Sequence, residues 1–245
     1  MSLHRTPTII AIGGNGGFSA KPHEPSLVPY CLEQTGKNNP KVCFVPTASG
    51  DSEDYIKRFD AAFSQYACDR SIVTFFRQPT SRTLSLNALE AQLLQQDLIY
   101  VGGGNTRAML TVWRNWNLPE IFRRVWESGV VLAGVSAGAL CWFDTGGSDS
   151  TYVGALSPLP GIGLLPGSCT PHYSNQPNRR PDVHQLMKNG ELPQGIGIDD
   201  GVAVRFNGTE IAEAVRSRPE AKAYFLSLTE NNSITEACME LKTIS

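Results

Sequence analysis

The 245-residue chain predicts an α/β fold: an open, doubly wound, mainly parallel sheet with a C-terminal β-hairpin. Short apolar runs rich in β-branched residues alternate with helix-length amphipathic stretches, the pattern of a parallel sheet covered on both faces. Three of these runs end in glycine-rich loops. Near the C-terminus two strand-like runs flank Asn207-Gly208, a type I′ hairpin signal.

The elements follow in order. Residues 8–12 form a first strand that ends in Gly13-Gly14-Asn15-Gly16-Gly17, and residues 42–46 a second that ends in a polar loop. Tyr55, Phe59, Ala62 and Phe63 recur at helical spacing within 53–66. A third strand is expected over 71–76, a leucine-faced helix over 87–96, and a fourth strand over 98–101, closed by Gly102-Gly103-Gly104-Asn105. Helices over 106–116 and 118–127 follow, the second opened by Asn117 and Pro119. A fifth strand covers 130–133, and a helix runs from 137 to about 143.

From 144 to 171 the pattern dissolves into Gly, Ser, Thr and Pro, and an irregular functional loop is expected there. A short helix over 180–189, the hairpin strands 202–206 and 211–215, and a strand over 223–228 complete the reading. Neither a repeat nor a linker interrupts the sequence, so residues 1–245 are expected to form one catalytic domain.

Composition excludes several function classes. Lys+Arg number 21 against 23 Asp+Glu, a net charge of −2 that lacks the positive field nucleic acid demands. The longest apolar stretch, 130–143, is broken by Gly134, Ser136 and Gly138 and falls short of the roughly 20 residues that span a bilayer. The first twelve residues carry no secretory pattern, so a cytoplasmic location is expected. The six cysteines lack C-x-x-C spacing and read as reduced and structural. Scattered carboxylates and histidines lack metal-ligand spacing, so neither a metal nor a cofactor is expected.

Gly134-Val135-Ser136-Ala137-Gly138 falls directly after a buried strand and before a helix. A G-x-S-x-G turn in that context forces the serine out of the sheet surface, with helix N–H groups beneath it. A serine nucleophile needs a base, and the candidates are His4, His23, His172 and His184. His172, in a loop after Pro171, is the best placed. The third member is Asp144 or Asp149 if the chain order is Ser, acid, His, and Asp199 or Asp200 if it is Ser, His, acid. Gly102-Gly103-Gly104-Asn105-Thr106 lacks the Lys-Ser/Thr pair of a nucleotide loop and suits an oxyanion hole.

Tyr100-Val101-Gly102-Gly103-Gly104-Asn105-Thr106, together with Ala133-Gly134-Val135-Ser136-Ala137-Gly138-Ala139 and Pro171-His172, resembles peptidase E, the aspartyl dipeptidase family of serine peptidases. The resemblance runs from Ile9 to about Phe206 and implies the class I glutamine amidotransferase-like fold, with flavodoxin-like layering. It implies Ser136 as nucleophile, His172 as base and Asp200 as acid, where the best-known members carry glutamate before the glycine that is Gly201 here. Backbone N–H groups of Gly103, Gly104 and Ala137 would form the oxyanion hole. Asn105, Arg179 and Arg180 would bind substrate, one of the arginines holding an N-terminal aspartate. The implied activity is that of a serine exopeptidase on dipeptides or short peptides. A cyanophycinase-like hydrolase and a non-catalytic peptide- or small-molecule-binding protein are the alternatives. The expected partners are a short peptide and, in a homodimer, a second copy of the chain.

Overall fold

The computed structural model describes residues 6–15, 26–76, 85–152 and 155–244. Gly16, Gly17, His4 and His23 lie outside the described residues. Among the described residues, fourteen strands form two sheets rather than one.

The first sheet has a parallel centre made of the five strands read most directly from the sequence. These are β1 (Thr8–Ile12), β2 (Lys41–Val45), β3 (Asp69–Ile72), β4 (Leu98–Val101) and β5 (Val131–Val135). They lie side by side in the order β1-β5-β4-β2-β3. Side chains alternate between two cores: Ile9, Cys43, Ile99 and Leu132 face one, Ile10, Phe44, Tyr100 and Ala133 the other. Burial on both faces explains the continuous apolar runs.

Helix α1 (Val28–Glu33), absent from the sequence reading, and α2 (Glu53–Phe63) cover the second core. Helices α3 (Leu86–Leu94), α4 (Thr106–Asn115), α5 (Leu118–Glu127) and the single turn α6 (Ala137–Leu140) bury their apolar residues in the first. Strand β3 ends earlier than expected because the Phe75 and Phe76 N–H groups donate to the Asp51 carboxylate, each at 2.6 Å, instead of joining the ladder.

The expected irregular segment 144–171 is corrected. It forms β6 (Phe143–Tyr152), β7 (Ala155–Pro160) and β8 (Leu165–Pro171) of a second, six-stranded sheet. Helix α7 (Arg179–Lys188) packs on that sheet through Val183 and Met187. The next strand, β9 (Gly195–Ile198), pairs in parallel with β8. Close approach selects these strands: a Cβ on Gly146 would strike the Cys169 carbonyl and Leu140, and one on Gly197 the ring of Tyr173. Their glycines and serines therefore carry no β-propensity signal.

The chain then returns to the first sheet as β10 (Val202–Asn207) and β11 (Glu210–Arg216). Strand β10 pairs antiparallel with β1, so the sheet is mixed. The hairpin lies one residue further on than expected, with Gly208 and Thr209 between the paired Asn207 and Glu210. Of these two only Gly208 has a positive φ, which corrects the type I′ expectation. Strands β12 (Ala223–Leu228) and β13 (Ile234–Cys238) extend the second sheet, and β14 (Leu241–Thr243) the first. All six cysteines are unpaired, and five of them are buried. No helix among the described residues is long and apolar enough to cross a membrane.

Candidate active site

The loops after β1, β4 and β5 leave the same edge of the parallel centre, the carboxyl ends of its strands, where open α/β sheets bind ligands. Ser136 follows β5 with φ 58° and ψ −112°, a conformation costly for a residue with a Cβ. Its N–H donates to the Ile12 carbonyl at 2.9 Å, which ties the turn to the end of β1. The flanking glycines are sterically required, since a Cβ on Gly134 would meet the Gly138 carbonyl and one on Gly138 the Val101 carbonyl. The helix below the serine is a single turn, shorter than expected, so backbone geometry rather than a long helix dipole defines this site.

His172 leaves the end of β8, and its N–H donates to the Gly13 carbonyl at 3.2 Å. Because Pro171 lies opposite Ile198 in the β8–β9 pairing, the chain beyond β9 brings the Asp199-Asp200 pair alongside. His172 Nε2 stands 2.9 Å from Ser136 Oγ, and its Nδ1 2.5 Å from Asp200 Oδ1. The shorter side chain of aspartate thus reaches the imidazole, and Gly14 packs against both. A Cβ at that position would strike Asp200 Oδ1 and the His172 ring.

Asn15 Nδ2 donates to the other Asp200 oxygen at 2.9 Å, and the Asp200 N–H donates to Asn175 Oδ1 at 2.7 Å. Burial works to raise the Asp200 carboxyl. The hydrogen bonds from His172 and Asn15, with the charges of His172 and Arg218, outweigh it and hold the group below its ordinary value.

The other acids considered are engaged elsewhere. Asp199 accepts from the Ser174 and Lys222 N–H groups, one on each oxygen, and Asp144 accepts from the Gly167 N–H. Asp149 pairs with Arg179 at 2.8 Å. His184 is held by Tyr173 and Glu236.

The glycine loop after β4 packs against the serine: a Cβ on Gly103 would lie 3.2 Å from Ser136 Cβ. The Gly103 N–H donates to Tyr55 Oη at 3.0 Å, so it is already engaged, unlike the Gly104 and Ala137 N–H groups among the described residues. Asn105 caps α4, its Oδ1 accepting from the Ala108 N–H, and lines neither cavity beside Ser136.

The two arginines part company. Arg179 is buried, and it borders a 210 Å³ cavity together with Ser136, Ala137, Gly104 and His172. Burial lowers its basicity, and the neighbouring Asp149 charge partly restores it. Arg180 lies over the Tyr173 and Tyr224 rings and next to Glu236, outside both cavities that contain Ser136. The second of those cavities, about 340 Å³, is bordered by Ser136, His172, Tyr55 and Arg58. Sequence reasoning missed Asn15, Asn175, Tyr55 and Arg58. The glycine-rich loop around Asn15 was the only signal for any of them. No cluster of metal-ligating side chains occurs among the described residues.

A serine at a strained strand–helix turn, hydrogen-bonded to an imidazole that an acid orients, defines the class as α/β proteins with serine-hydrolase geometry. The profile of Peptidase family S51 matches residues 9–214, and the chain belongs to that family of serine peptidases. It is 45% identical over 223 residues to the uncharacterized peptidase YgaJ of Bacillus subtilis (strain 168), covering 91% of this chain and 93% of that protein. A second relative, the uncharacterized peptidase Lmo0363 of Listeria monocytogenes, is 25% identical over 194 residues, 76% of this chain and 91% of its own. Among solved structures, a peptidase from an acI-B1 actinobacterium superposes with a TM-score of 0.70 at 18% identity, covering 97% and 96% of the two chains. A protein from Listeria monocytogenes EGD-e regarded as a peptidase E gives 0.60 at 20% identity, over 85% and 98%. These two structural likenesses bear on the fold alone.

Proposed function

We propose that the chain is a serine exopeptidase hydrolysing dipeptides and other short peptides with an N-terminal aspartate. The observation that carries this reading is the hydrogen-bonded line from Ser136 Oγ through His172 to Asp200. Ser136 attacks the scissile carbonyl as His172 Nε2 takes its proton, and Asp200 holds the imidazole in the required tautomer. The Gly104 and Ala137 N–H groups stabilise the tetrahedral oxyanion. His172 then protonates the leaving amine, and water hydrolyses the acyl-enzyme.

Arg179 and Asp149 support the substrate class. An N-terminal aspartate carries an ammonium and a carboxylate on one residue, and the cavity beside Ser136 offers one charge of each sign. The guanidinium fork suits the carboxylate, and Asp149 suits the ammonium. A fluorophosphonate probe followed by mass spectrometry of the labelled peptide, with a panel of Xaa-Leu dipeptides, tests the reading. Labelling at Ser136 and faster cleavage of Asp-Leu than of Ala-Leu or N-acetyl-Asp-Leu are expected. No label on Ser136 would overturn the mechanism, and equal rates across the panel the substrate class.

A further inference from the structure

We propose that Arg58 is a specificity-determining residue that binds the terminal carboxylate of the leaving half of the peptide. This deepens the reading above and rests on it. The two cavities that meet at Ser136 and His172 carry different charges. The smaller holds the Arg179–Asp149 pair, matched to the two charges of the first residue. Among the described residues the larger is bordered by no carboxylate, and apart from His172 the one ionic group among them that borders it is the Arg58 guanidinium. A short peptide with a free C-terminus presents one further negative charge, on the opposite side of the scissile bond from its N-terminal residue.

Position and chemistry agree with that assignment. Arg58 is exposed on α2 and forms no ion pair among the described residues, even with Asp54 one turn earlier on the same helix. Its guanidinium lies over the Tyr55 ring, 4.9 Å from the centroid. This contact orients the group through its face and leaves its N–H edge for a ligand. Tyr55 in turn accepts the Gly103 N–H at 3.0 Å, so the guanidinium and the oxyanion loop are separated by this one ring. A leaving segment of one or two residues, at roughly 3.3–3.6 Å per residue, spans that interval. Longer peptides would carry their terminal charge past Arg58, so the same group favours short substrates.

The test compares Asp-Leu and Asp-Leu-Leu with their C-terminal amides on the wild-type protein and on Arg58→Gln. The expected result is a preference of the wild type for the free acids. In Arg58→Gln, KM for the acids rises about tenfold, the scale of one charge-assisted hydrogen bond, with kcat little changed and the amides unaffected. Arg58→Lys should restore part of the preference. Equal losses on acids and amides would mean that Arg58 acts only by supporting Tyr55 and the oxyanion loop, which overturns the proposal. A changed choice between Asp-Leu and Ala-Leu would overturn it too, by assigning the larger cavity to the first residue. Calorimetric binding of the same acid and amide pair to the Ser136→Ala protein, with and without Arg58→Gln, reads the subsite without turnover. Absence of acid-over-amide discrimination there sinks the inference even if no peptide is cleaved. A wild type that cleaves nothing sinks the exopeptidase reading instead.

Discussion

The eight-stranded sheet presents Ser136 through its backbone, whereas the six-stranded sheet, beyond the left-handed backbone of His172, holds His172 and the Asp200 that follows it through hydrogen bonds between distant segments. On the first side, a left-handed φ and two glycines pressed against neighbouring carbonyls fix the serine. On the second, His172 also has a left-handed φ, with its backbone N–H on the Gly13 carbonyl, but its imidazole is fixed by Ser136 and Asp200, and Asp200 by Asn15 and Asn175. Backbone geometry leaves a mark in the local sequence, because only certain residues tolerate it. Side-chain pairing between distant segments leaves almost none.

The largest effect expected from breaking this arrangement is at the backbone-held member. Ser136→Ala keeps the turn and removes the nucleophile, and loss of the serine in a well-studied serine protease costs about 10⁶ in kcat. Hydrolysis of Asp-Leu should fall accordingly, while circular dichroism and thermal unfolding stay close to wild type. Retention of more than a tenth of the rate would remove Ser136 from the mechanism.

The next test separates two adjacent aspartates. Asp200→Asn replaces the acceptor that fixes the His172 tautomer and should cost up to about 10⁴ in kcat. Asp199→Asn should cost less than tenfold in rate but about 1–3 kcal/mol in urea-measured stability. One of the two backbone donors it now satisfies would face an amide NH₂ instead of an oxygen. The reverse pattern, a catalytic loss at 199 and a stability loss at 200, would reassign the acid by one residue.

What could be read in advance follows the same division. Strands β1, β2, β4 and β5 are buried on both faces, so they appear as apolar runs, and Ser136 appears as a G-x-S-x-G turn between strand and helix. The second sheet stayed hidden because β6, β8 and β9 are built where chains pass close together, at Gly146, Gly195 and Gly197, rather than from β-branched residues. His172 stood out through its proline and the scarcity of histidines. The residues alone left Asp144, Asp149, Asp199 and Asp200 open, and only the resemblance favoured the last pair. Arg179 and Arg180 are neighbours in sequence, and nothing local says that one is buried beside the serine while the other lies across two tyrosines.

The smallest expected effect concerns the protonation of the side-chain-held member. The folded protein keeps the Asp200 carboxyl below its ordinary value, so its ionised form is favoured by folding. In an unfolded chain the group titrates near about pH 3.9. The stabilisation from ionised Asp200 is therefore fully present above that value and is lost as the pH falls through the lower, folded value. Each unit between the two is worth about 1.4 kcal/mol. The other depressed carboxyls, Glu90, Glu213 and Glu236, respond to acid in the same direction, so wild-type acid sensitivity alone does not isolate Asp200. The difference between wild type and Asp200→Asn does, because those groups are common to both and cancel. Urea unfolding of the two proteins should show a stability difference that narrows as the pH falls below about 4. A difference that stays flat down to pH 3 would mean that the hydrogen bonds from His172 and Asn15 do not favour the carboxylate. The second sheet would then hold its acid by packing, as the first holds its serine.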